Sequence, residues 1–181
     1  MEDGLGWVYA AYLAWLVAGL ADFILHWRTD LRHTSGIPES TAHLVQLAIL
    51  GSAIVLGLLL TVEPFLVGLL IILVIAHACV GYLDSRVAFV RRRTLYPVEQ
   101  HVHSILDMAP LIGLGILVAW TWPAAITGTE GWLPTLRRPL PPLWQWFAII
   151  APAIVLCVVP ALLEFRAAWR TRFATDHAPP A

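Results

Sequence analysis

Ten carboxylate and imidazole side chains lie at the ends of long apolar segments: Asp22, His26, Glu39, His43, His77, Asp84, Glu99, His101, His103 and Asp107. Asp22 and His26 are four residues apart, so both side chains lie on one face of a helix. The same spacing recurs in Glu39 and His43, and twice more within residues 99–107. Imidazole and carboxylate together are ligands that suit iron, zinc and manganese. The pattern therefore predicts a metal site built from several helices.

The elements that must position these side chains are membrane helices. The 181-residue chain is 59% hydrophobic and 13% charged, with a mean hydropathy of +0.76, whereas soluble domains are about 45–50% apolar and about 25% charged. This composition excludes a soluble enzyme. The net charge of −1 also gives no positive electrostatic field that would attract nucleic acid. The prediction is an all-α protein with a single transmembrane domain over residues 1–172 and a C-terminal tail over 173–181. Its five apolar stretches, each near the ~20 residues that cross a bilayer, are 7–27, 43–62, 65–83, 104–122 and 143–163.

Arginine placement predicts the orientation of these helices. All 11 basic residues are arginine, and those after the first, third and fifth stretches fall on one side of the membrane. Only Arg137 and Arg138 fall on the other side. The positive-inside rule then puts the N-terminus outside and the C-terminus in the cytoplasm, here of a bacterial inner membrane. The acidic start lacks the basic region of a signal peptide, so we expect the first stretch to remain as a helix.

On this topology the ionisable residues share one depth. At a rise of ~1.5 Å per residue they occupy a slab from the inner third of the bilayer to the cytoplasmic interface. We therefore expect helices 1–4 to form a four-helix bundle with a polar metal site at its cytoplasmic end. So many neighbouring carboxylates need compensating positive charge, which bound divalent ions supply.

The number of candidate ligands predicts two ions, with iron favoured and zinc or manganese as alternatives. The expected direct ligands are Asp22, His26, Glu39, His43, His77, His103 and Asp107. Asp84, Glu99 and His101 are expected either to bind metal or to orient its ligands, and His33 is a weaker candidate.

Three strings carry a resemblance: DFILH (22–26), TSGIPESTAH (34–43) and YPVEQHVHSILDMAP (96–110). They resemble the DxxxH, TSGxxExxxH and PxEQHxHS motifs of a family of small, uncharacterised bacterial multi-pass membrane proteins. In design the chain is also similar to the membrane fatty-acid hydroxylases and desaturases, which hold two metals at cytoplasmic helix ends beside a lipid-accessible channel. It departs from their HxxxH and HxxHH boxes, having many carboxylates and His101-Val-His103 instead.

These observations favour a non-haem di-iron oxidoreductase that uses O2 on a membrane lipid or other apolar substrate. It would need an external electron donor, because no flavin, nicotinamide or cysteine-cluster motif is present. One alternative is a membrane zinc hydrolase with Glu99 or Asp107 as the general base. Another is a haem-binding or accessory subunit of a membrane complex. A site at one membrane face argues against transport, and a dimer through helix 5 remains open.

Overall fold

The computed structural model describes residues 2–30, 36–92, 95–127 and 132–176. Its helices are α1 (Glu2–Arg28), α2 (Ile37–Leu59), α3 (Pro64–Val90), α4 (Pro97–Thr127), α5 (Leu143–Ala153), a π-helical turn (Ile154–Val158) and α6 (Val159–Asp176). The last three form one continuous rod, which we call the fifth span (Leu143–Thr171). Together with α1–α4 it gives five segments long and apolar enough to cross a membrane. The chain is an all-α, multi-pass membrane protein, as predicted.

The helices extend further at their polar ends than the apolar stretches suggested. The second helix begins at Ile37 instead of residue 43, and the fourth begins at Pro97 instead of residue 104. Mean hydropathy falls where carboxylates and imidazoles begin, so apolar stretches alone make these helices too short. The helices continue through the polar residues, most of which point into the bundle. At the C-terminus α6 runs to Asp176, into the predicted tail, and residues 177–181 lie outside the described ranges.

The five spans pack as a ring, in which each contacts two neighbours. The order around the ring is α1, α4, α3, α2 and the fifth span, which closes against α1. Helices α1–α4 carry most of the polar cluster, as predicted, and the fifth span packs against both α1 and α2. All five spans surround the interior in which the polar residues meet.

One end of the ring, which we call the loop end, is closed by residues 132–142 lying against the α2–α3 turn. Leu60 and Leu136 form an isolated antiparallel bridge. Arg137 donates its backbone N–H to Leu59 O at 2.8 Å and a guanidinium N–H to Gly57 O at 3.2 Å. The last carbonyls of a helix have no partner within it, so this loop satisfies the C-terminus of α2.

Pro152 interrupts the helical hydrogen bonds of the fifth span, and two tyrosines of α1 donate to carbonyls on its N-terminal side. Proline has no N–H, so the carbonyl four residues earlier loses its helical donor. The Tyr9 hydroxyl donates to that carbonyl, Ala148 O, at 2.9 Å, and the Tyr12 hydroxyl donates to Ile149 O at 2.6 Å. These bonds hold α1 against the fifth span, whose later residues then reach the polar interior.

Candidate metal centre

Glu164 of α6 joins two histidines from different helices. This carboxylate is buried, and it accepts the Nδ1–H of His26 and the Nδ1–H of His43, each at 3.0 Å. The two imidazole rings stack with centroids 4.7 Å apart and an interplanar angle of 8°. An ionised carboxylate only accepts hydrogen bonds, so both Nδ1 atoms carry hydrogen. In the neutral rings each Nε2 then presents a lone pair, as in carboxylate–histidine–metal arrangements.

The Nε2 atom of His26 faces carboxylates from three helices. It lies 3.4 Å from Glu99 Oε1, 3.5 Å from Asp22 Oδ1 and 3.8 Å from Glu39 Oε1. Among the described residues this Nε2 has no hydrogen-bond partner, although the side chain is fully buried. Donors bound to one ion at about 2.0–2.2 Å lie roughly 3–3.5 Å from one another. The distances to Glu99 and Asp22 fall within this range, and the distance to Glu39 is slightly longer.

His103 of α4 completes a first group of ligands. Its Nε2 lies 2.9 Å from Asp22 Oδ1, but the two atoms are not aligned as a hydrogen bond. Its ring stands edge-on to that of His26, with centroids 5.9 Å apart. Within the described ranges, one ligand atom each from Asp22, His26 and His103 lie within 4.8 Å of one another.

A second group forms around His43. His26, Glu39 and His43, all buried, also offer ligand atoms within 4.8 Å of one another. The Nε2 of His43 lies 3.4 Å from Asp84 Oδ2 on α3. Each group thus combines two histidines with one carboxylate, which is the ligand set of non-haem Fe(II) oxygenases and of several zinc hydrolases.

The charge balance of the interior also favours a cation. Five carboxylates are buried there, and no arginine is buried with them in the part of the chain that the structure describes: Asp22, Glu39, Asp84, Glu99 and Glu164. Buried charge without compensation costs several kcal/mol per ion, roughly. Protons or positive ions would supply compensating charge, and the geometry of the cluster can hold a metal.

An apolar cavity of about 130 Å³ adjoins the cluster. Its polar wall consists of Asp22, His43, Gln46, His77, Asp84, Ser85, His103 and Asp107. Its apolar wall includes Leu16 of α1, Leu50 and Ile54 of α2, and Cys157 and Val158 of the fifth span. The cavity therefore places apolar space in contact with candidate metal ligands.

His77 and Asp107 belong to this cavity wall and to neither ligand group. His77 is buried, and its Nδ1 has no hydrogen-bond partner among the described residues. Asp107 approaches α3 over Gly81, where an added Cβ would lie 2.8 Å from Asp107 Oδ1 and 3.1 Å from Gln46 Nε2. The absence of a side chain at Gly81 thus lets the Asp107 carboxylate reach the interior.

The structure does not bring His101 into the cluster. This residue is exposed, and its Nδ1–H donates to Pro97 O at 2.8 Å within its own helix. It lies two residues from both Glu99 and His103, so it is rotated by about 200° from them on a helix of 3.6 residues per turn. His33 lies outside the described residues.

Glu164 is the residue that sequence reasoning missed. It has no histidine or carboxylate four residues away, and it follows directly after the fifth apolar stretch, two residues before Arg166, so its spacing gives no sign of a site. One signal could have found it. At 1.5 Å per residue Glu164 lies about 32 Å from Leu143, at the same depth as the other members of the cluster.

No family model, no curated protein and no solved structure matches the chain.

Proposed function

We propose that this protein binds two divalent metal ions in the ring and acts as a non-haem di-iron, O2-dependent oxidoreductase on a lipid or other apolar substrate. The observation that carries the proposal is the position of Glu164, which holds both histidines by Nδ1 and leaves both Nε2 atoms toward the carboxylates. Such support is typical of metal ligands, because it fixes the tautomer and the ring orientation.

Two ions allow both ligand groups to be filled at once. The Nε2 of a neutral imidazole has one lone pair, so His26 cannot serve both groups, and we assign His26 to one ion and His43 to the other. Their rings stack with centroids 4.7 Å apart and an interplanar angle of 8°, so the two Nε2 atoms belong to neighbouring rings. We assign Asp22, Glu99 and His103 to the ion at His26. Asp84 would bind the ion at His43, and Glu39 would bind both ions.

The apolar cavity supports the choice of substrate. Bound iron would supply the chemistry that activates O2. The cavity would hold an apolar C–H bond of the substrate beside the iron. Insertion of one oxygen atom into that bond, with the other reduced to water, consumes two electrons and two protons. The electrons come from an external donor, and the protons come from the aqueous side through Glu99 and Asp107. We place the cluster on the cytoplasmic side of a bacterial inner membrane, in keeping with the arginine distribution.

Metal content tests this proposal directly. Detergent-purified protein would be analysed by inductively coupled plasma mass spectrometry, and its optical spectrum recorded. About two irons per chain without a Soret band is the expected result. Two zinc ions that remain after expression in iron-rich medium would favour the zinc hydrolase, with Glu99 or Asp107 as its base. A Soret band would favour a haem protein, and protein without metal would overturn the proposal.

The oxidoreductase activity needs a separate test. Iron-loaded protein in lipid vesicles, supplied with a chemical reductant, should consume O2 and yield an oxidised lipid that mass spectrometry detects. The His103→Ala variant should lose both activities, and His101→Ala, two residues away but outside the cluster, should keep them. Oxygen consumption without any oxidised lipid would contradict the assignment of substrate.

A further inference from the structure

A second pocket, of about 380 Å³, lies between α1 and α6 at the polar end of the ring. Its walls include Trp27 of α1, Asp30 just after α1, and Leu163, Arg166 and Arg170 from the fifth span. We call it the basic pocket. It shares no lining residue with the apolar cavity, and His26 and Glu164 line only the basic pocket. The hydrogen bonds of Glu164 therefore separate the two spaces.

We propose that the basic pocket binds the phosphate of a phospholipid headgroup. Arg166 and Arg170 are four residues apart and project from the same face of α6 into one pocket. Two guanidinium groups at this spacing suit a phosphate, because arginine presents forked donors that match its oxygens. Basic pockets between transmembrane helices at the membrane surface are typical sites for anionic headgroups.

The depth and the apolar walls favour a lipid over free phosphate. The first span ends at Arg28 and the fifth at Thr171, so the pocket lies where the hydrocarbon core gives way to headgroups. Trp27 and Leu163 are 64% and 48% exposed, and they offer apolar surface for the glycerol and the first acyl carbons. Inorganic phosphate would leave this apolar surface uncovered.

The position of the pocket also links the lipid to the cluster. Glu164 and His26 contribute to its wall, so a headgroup bound there lies behind the residues that hold the imidazole rings. The lipid would thus act as a fixed component that supports the histidines, separate from any substrate in the apolar cavity. This binding does not depend on the identity, or the presence, of a metal.

Native mass spectrometry of the detergent-purified chain tests the proposal. Dioleoylphosphatidylglycerol should be retained at one molecule per chain, and dioleoylglycerol, which lacks the phosphate, should not. The Arg166→Gln/Arg170→Gln variant should bind the phospholipid about tenfold more weakly or worse. The matched control is Arg86→Gln/Arg91→Gln, which removes two exposed arginines at the same end of the ring but outside the pocket.

Each other outcome would overturn the assignment. Equal retention of dioleoylglycerol would show that the phosphate is not recognised. Equal loss in both double variants would indicate general surface charge. Inorganic phosphate that displaces the phospholipid at millimolar concentration would identify the free ion as the ligand. An unchanged elution volume in size-exclusion chromatography would establish that the variants are folded.

Discussion

The two ends of the ring satisfy their buried polar groups in different ways. Toward the loop end, carbonyls that the helices leave unpaired receive donors from elsewhere in the chain, as when Arg137 donates to Gly57 O and Tyr9 to Ala148 O. At the polar end, buried carboxylates gather around three imidazoles without a buried arginine in the described ranges. Among the described residues, the five buried carboxylates there outnumber these three imidazoles.

From this difference we expect the loop end to contribute mainly to folding and the polar end mainly to function. A helix carbonyl that receives a donor from elsewhere in the chain needs no further partner. A region with excess acceptors stays costly until a cation enters. We therefore expect the loop end to act as the scaffold and the polar end to bind a cation. The following changes test that division, from the largest expected effect to the smallest.

The His26→Ala substitution should have the largest effect. His26 supplies the Nε2 donor of one proposed ion, and its ring stacks on His43, which supplies the donor of the other. We expect metal content to fall to near zero, and His43→Ala should behave similarly. Metal analysis of the purified variants measures this. His101→Ala on α4 and Glu63→Ala at the loop end are the controls and should keep their metal, and an equal loss in these controls would refute the assignment of the site.

The Glu164→Gln substitution should weaken metal binding without abolishing it. A glutamine oxygen can accept one Nδ1–H, but its amide nitrogen donates, so one of the two histidines loses its acceptor. Loss of such a supporting carboxylate costs about 10–100-fold in metal affinity. Competition with a chelator of known affinity would measure it. Glu63→Gln is the matched control, and unchanged affinity in Glu164→Gln would mean that the carboxylate does not orient the rings.

The Gly19→Ala substitution should destabilise the fold and spare the ligands. An added Cβ would lie 2.9 Å from Cys157 Sγ, which packs against α1 at the π-helical turn. Overpacking of this kind costs about 1–3 kcal/mol. Thermal unfolding in detergent would report the loss. The control is Gly51→Ala, whose Cβ would meet nothing within 4 Å. Equal stability of the two variants would show that α1 can move away from the fifth span.

The Tyr9→Phe substitution should have the smallest effect. It removes the donor to Ala148 O, which Pro152 leaves without a helical partner. We expect a loss of about 0.5–1.5 kcal/mol in the free energy of unfolding, with metal content unchanged. Tyr82→Phe, at a side chain that is 69% exposed, provides the control. A loss of metal in Tyr9→Phe would contradict the division between the two ends.

The spacing of polar residues along the sequence, read with the period of an α-helix, predicted much of the site. The four-residue spacing of Asp22 and His26 places both on one face in any helix, so the prediction that they meet needed no tertiary information. The same geometry explains why His101, two residues from its neighbours, points away from them. The spacing does not distinguish residues that would bind a metal from residues that line the cavity. His77 and Asp107 were expected to be direct ligands, and their position depends on how closely α3 and α4 approach at Gly81.

The sequence by itself determined that the chain is a bundle of membrane helices with a polar cluster at one end. Apolar length and backbone hydrogen bonding leave few other structures in a bilayer. Only the tertiary structure decided that five spans close into a ring and that Glu164 holds His26 and His43 together. Glu164 lies 138 and 121 residues from these partners. No local period relates such distant positions, because their meeting depends on how whole helices pack.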